Sequence, residues 1–155
     1  MAAVTASLAA SLVVMAGPPE NAGRVAALGR RSAALADEDA AAYSAVMVAR
    51  RSGASETDAL ARATEVPLEI AAIAAAIAQQ AAEVFLTGRR DVRGDAATAL
   101  LLAEGAARSA AYLVEVNVEA GGGTRDLVGL ARAHNAAARA ARKLVGGWVP
   151  VSADH

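Results

Sequence analysis

The chain has 155 residues, 46 of them alanine, and a formal net charge of −1 from 15 basic and 16 acidic residues spread along its length. No basic block or basic–aromatic stripe suits nucleic acid, and no basic amphipathic helix suits a membrane surface. Cysteine is absent, which excludes disulfides, thiol catalysis and cysteine metal sites and fits a reducing, cytoplasmic compartment.

The length suits one domain, residues 1–155, and the alanine content favours helices, because alanine gives up no side-chain entropy in a helix. Alanine also makes thin cores, which gain by extending across a subunit interface. The uncharged segment Met1–Pro19 lacks the basic start of a signal peptide and is rich in Ala, Ser and Thr, so it reads as a buried helix over Ala2–Ala16. Gly17-Pro18-Pro19 stops it. A second helix covers about Arg24–Arg51 and ends at Gly53. Ser55 and Asp58 form a capping-box pattern ahead of a short third helix, Glu56–Glu65. Pro67 suits the first turn of a fourth, Pro67–Leu86, closed by Gly88. A basic loop, Gly88–Gly94, leads to a fifth helix over about Asp95–Glu119. Gly121-Gly122-Gly123 break the chain, Thr124 caps, and a sixth helix continues to Val145. No stretch alternates with period two for long enough to be a strand. The expected fold is all-α, a bundle of about six helices. The fifth helix, apolar on nearly every side through Leu100–Leu102, Tyr112–Val114, Val116 and Val118, is expected to be the buried centre of a homodimer.

Asp39 is the most informative single residue. At about 100° per residue, Leu28, Leu35, Ala42 and Val46 share one stripe of the second helix. With Leu35 at zero, Asp39 falls at about 40° and Tyr43 at about 80°, close to that stripe. Asp37 at about 200° and Glu38 at about 300° fall on the solvated side. A carboxylate among apolar residues is suited to proton transfer, since burial disfavours its charged form. The competing assignment pairs Asp39 with an arginine from another helix. Asp95 follows Gly94 at a helix start, as an N-cap or as part of a ligand pocket. Arg89, Arg90 and Arg93 in the same loop could meet anionic ligand groups. Asn117 lies 22 residues beyond Asp95, about 33 Å along a straight helix, so one chain cannot bring both to one small pocket. His134 shares a stripe with Leu127, Leu130 and Ala138 and reads as a hydrogen-bonded interior histidine; it and His155 are too few for an imidazole metal site.

Four stretches, in order over about residues 30–120, together resemble the cyclodeaminase domain of formiminotransferase-cyclodeaminase and its methenyltetrahydrofolate cyclohydrolase relatives. Leu35-Ala36-Asp37-Glu38-Asp39-Ala40-Ala41-Ala42-Tyr43 is similar to the family's L-x-D-x-D-A-x-A-F/Y, and Ala63–Leu68 to its A-x-x-V-P-L. Gly94–Ala99 resembles S-D-x-x-V-A-A, and Ala111–Val118 resembles A-x-x-N-V-x-I-N-L. The resemblance implies an all-helical homodimer that binds a tetrahydrofolate derivative as substrate, with no further cofactor. Family members eliminate ammonia from 5-formimino-tetrahydrofolate to close the 5,10-methenyl ring, or hydrolyse the methenyl compound to 10-formyl-tetrahydrofolate. By the same resemblance Asp39 matches the proposed acid/base residue; Tyr43, Asp95 and Asn117 fall in the matched stretches and, with Arg93 of the preceding basic loop, are candidate substrate contacts. The chain departs from the pattern at Gly94, where the family has Ser, and at Leu113, where it has Asn. Gly17-Pro18-Pro19-Glu20 stands where a basic segment is expected, and Met1-Ala2-Ala3 stands at or just after the family's Gly-Gly-Gly-Ser loop. The alternative function is that of a non-catalytic helical dimer keeping the fold.

Overall fold

A computed structural model describes residues 1–146; Trp148 and His155 lie outside them. It contains five α-helices: α1 Ala2–Ala16, α2 Pro19–Ser52, α3 Thr57–Thr87, α4 Arg93–Glu119 and α5 Arg125–Val145, with one 3-10 turn at Arg90–Val92. No strand occurs among the described residues. The all-helical expectation stands, and the number of helices is corrected to five. The glycine and proline stops act where expected at Gly17, Gly53, Gly88 and Gly121–Gly123. Gly53 closes α2 in the left-handed conformation, φ 68°, with its N–H on the Ala49 carbonyl. Pro19 sits in the first turn of α2, where its missing N–H costs nothing, so α2 starts earlier than its apolar stripe.

The expected third and fourth helices are one helix. Pro67 lies inside α3 and is buried. An interior proline costs roughly 3 kcal/mol. Burying Val66, Ile70, Ile73 and Ile77 on the same helix stabilises by about 1.5–3 kcal/mol each, which outweighs that cost. The capping box is also absent: Ser55 Oγ meets the Thr57 N–H and hydroxyl, and Glu56 is the N-cap.

The most buried helix is α3, not the Asp95–Glu119 helix. It packs against α1, α2, α4 and α5. It is also long and apolar enough to cross a membrane, but most of that apolar stretch is inside the fold. Helix α4 buries an alanine-rich face, Ala96, Ala99, Ala103, Ala106, Ala107, Ala110, and leaves Leu101, Tyr112, Leu113 and Val116 exposed. Helix α1 likewise buries one face only, with Val4, Leu8 and Met15 outside. Small residues let helices approach closely: a Cβ on Gly29 of α2 would sit 3.0 Å from the Ala10 Cβ of α1. Nearby, buried Ser32 donates to the Ala3 carbonyl at 2.8 Å.

Candidate functional site

Along α2 the inward residues follow three-and-four spacing through Val25, Gly29, Ser32, Leu35, Ala42 and Val46, all buried. Asp39 occupies the place in this seam between Leu35 and Ala42, and it is half-buried. It lines a cleft of about 500 Å³ whose walls come from α2, α3 and the last turns of α4, with Met1 at the rim. Tyr43, Val46, Leu60, Ala63, Val116 and Asn117 share this cleft. Its size is in the range of small-molecule sites. Three sequence-designated residues, Asp39, Tyr43 and Asn117, are therefore brought together within one chain.

The carboxylates of α2 part company here. Asp37 is exposed, as its wheel position requires. Glu38 is not on the solvated side: it is half-buried and pairs with both Arg31 and Arg62. Arg31 also grips Glu69 with two bonds of 2.7 Å, from Nε and Nη2. Those bonds from Arg31 hold the Glu69 carboxyl below the usual carboxylate range and push the guanidinium up. Arg31 and Glu38 are seven apart on α2, and Arg62 and Glu69 are seven apart on the facing α3. This spacing was the sequence signal for the network. The arginines that could have paired with Asp39 are thereby spent on its neighbours. Asp39 has no hydrogen bond or ion pair to any described residue. Arg50, the arginine that lines the cleft, is held by Glu56 at 2.7 Å.

Asn117 is half-buried and donates its Nδ2 to the Ala63 carbonyl of α3. Its own carbonyl accepts from the Gly122 N–H at 2.8 Å, which fastens the α4–α5 turn to the same spot. Tyr43 is 66% exposed and stands at the mouth of the cleft.

Arg93 and Asp95 lie elsewhere. Both belong to the first turn of α4, whose last turns form the cleft. Val92, not Asp95, is the N-cap, and Asp95 is exposed. The Arg93 guanidinium lies 5.9 Å above the Phe85 ring, and its buried Nε makes no hydrogen bond. Arg89 is occupied by Asp91, with Nε at 3.0 Å from Oδ1. His134 is half-buried and makes no side-chain hydrogen bond to described residues, so the interior-histidine expectation fails. Leu130, placed on its stripe, is exposed. Other grooves run between α1 and α2, between α4 and α5, and between α3 and α5. The α4–α5 groove also holds an unpaired carboxylate, Glu119, but that residue is exposed, whereas Asp39 is half-buried.

Sequence comparison with protein families matches formiminotransferase-cyclodeaminase over residues 19–121. The chain belongs to this family. The matched span contains the whole of α2, α3 and α4, and so carries every helix that walls the Asp39 cleft. No curated protein matches the chain.

Proposed function

We propose that this family member is a cytoplasmic one-carbon enzyme acting on a tetrahydrofolate derivative, by cyclodeamination of the 5-formimino compound or hydrolysis of the 5,10-methenyl compound. The observation that supports it is the unpaired, half-buried Asp39 carboxylate in a cleft of ligand size, beside a Glu38 whose charge is fully engaged. In cyclodeamination N10 attacks the formimino carbon, the C–N bond to ammonia breaks, and the departing nitrogen takes a proton. In hydrolysis water adds to the same carbon and gives up a proton. Either route needs a proton carrier at one carbon centre, and Asp39 is assigned that role. Tyr43 and Asn117 are assigned to substrate contact.

Arg93 and Asp95 complete this reading only in a homodimer. The exposed stripe of α4, Leu101, Tyr112 and Val116, favours packing against a second copy. If two α4 helices cross antiparallel with Leu101 opposite the partner's Tyr112, the pairing sums place the partner's Asp95 opposite Val118, next to Asn117. The test is a binding titration with 5-formyl- and 5,10-methenyl-tetrahydrofolate, followed by turnover of the wild type and Asp39→Asn. Binding with turnover that Asp39→Asn abolishes is expected. Binding without turnover would identify a non-catalytic dimer, and no binding would end the folate reading.

A further inference from the structure

Pro67 and Asn117 meet at one oxygen atom. Pro67 is inside α3 and has no N–H, so it cannot engage the carbonyl four residues back, which is that of Ala63. Asn117 on α4 donates its Nδ2 to this same carbonyl. A carbonyl oxygen only accepts, so the chemistry itself decides which way the amide points. The NH2 group turns to Ala63 and Oδ1 turns away. Oδ1 accepts no hydrogen bond from described residues, is not a buried unpaired atom, and belongs to a residue that lines the cleft with Asp39. The junction has little freedom around it. Gly122 presses so closely that a Cβ there would collide with Thr64 Oγ1 and lie 2.8 Å from the Asn117 carbonyl oxygen.

We propose that Pro67 is a positioning residue for the cleft: by leaving the Ala63 carbonyl without a helix partner, it clamps the Asn117 amide and fixes Oδ1 as a hydrogen-bond acceptor for the ligand. An asparagine free to turn offers a donor or an acceptor alike. A clamped one offers only the acceptor, and so selects a ligand with an N–H at that point and disfavours one with a lone pair there. The identity of the N–H donor rests on the tetrahydrofolate reading above; the clamp itself does not.

Pro67→Ala supplies the missing N–H while keeping the helix, and is expected to leave helix content intact and the melting temperature unchanged or raised. In this variant the side-chain amide protons of Asn117 should exchange faster with solvent by NMR. Affinity for 5-formyl-tetrahydrofolate should fall about fivefold, the scale of one neutral hydrogen bond. Pro67→Ala combined with Asn117→Asp restores an acceptor and should recover most of that loss. Asn117→Ala should lower the melting temperature by about 2–4 °C when residue 67 is proline and by much less when it is alanine. Equal melting losses in both backgrounds, or unchanged amide exchange in Pro67→Ala, would overturn the clamp. If the wild type takes up no 5-formyl-tetrahydrofolate, the folate reading fails, and melting and exchange still decide the clamp.

Discussion

Consecutive carboxylates on one helix have opposite fates, and the difference is angular. Glu38 turns toward Arg31 and Arg62, whereas Asp39, one residue on, turns into the cleft without a partner. The proposed catalytic role belongs to the unpaired group, because Glu38 is committed to two guanidiniums and does not line the cleft. Asp39→Asn keeps the shape and removes the titration. It is expected to lower turnover at least about a hundredfold with folding intact. Asp37→Asn, on the exposed side, should stay within a few-fold when both are assayed on the same substrate. Equal activity of Asp39→Asn and the wild type would remove Asp39 from the mechanism.

At the level of elements, α2 and α3 are joined by charge and α3, α4 and α5 by a tight polar junction. Arg31 lowers the pKa of Glu69, so the linked stability is fully present above the ordinary glutamate value of about 4.3 and is lost as pH falls through the lower folded value. The pair is largely solvated, which keeps its contribution small and makes it sensitive to salt. Glu69→Gln should therefore flatten the acid limb of the stability profile, and the difference from wild type should shrink in high salt. The junction is the stiffer of the two. Gly122→Ala would force a methyl to within 2.6 Å of the Leu60 carbonyl oxygen and 2.8 Å of the Asn117 carbonyl oxygen, both backbone atoms. A loss of about 1–3 kcal/mol is expected in urea unfolding. A neutral result would mean that the α4–α5 turn is not pinned there.

The molecule as a whole buries its alanines and leaves larger side chains of α1 and α4 outside. Val4, Leu8 and Met15 on α1 and Leu101, Tyr112 and Val116 on α4 are all more than two-fifths exposed. The proposed homodimer covers the α4 stripe. Leu101→Glu should give a monomer in light scattering at micromolar concentration with unchanged helical circular dichroism, since Leu101 supports little within one subunit. A wild type that is already monomeric would exclude the dimer. The same geometry expects complementation: mixed dimers of Asp39→Asn and Asp95→Ala subunits should regain activity that neither variant has alone, because one intact site is reassembled from two chains.

Local chemistry made the helical content, the stops at Gly17, Gly53, Gly88 and Gly121–Gly123, and the inward place of Asp39 readable from the chain. Proline, glycine and a period of 3.6 act within a few residues of themselves, and no distant contact is needed to read them. The four motifs likewise led to the family that residues 19–121 match. Three things were decided only by packing. Pro67 reads as a helix start because its local cost is visible, while the burial of Val66, Ile70 and Ile77 and the bond from Asn117 depend on where α4 lies. Glu38 reads as solvated because a wheel shows angles on one helix and not the arginine waiting on the next. The identity of the central helix followed the same rule: α3 and α4 are both apolar and both pack against α1 and α5, and the docking of α2 against α3 makes α3 the more enclosed. Periodicity is a property of one element, whereas burial and charge pairing belong to the faces that meet.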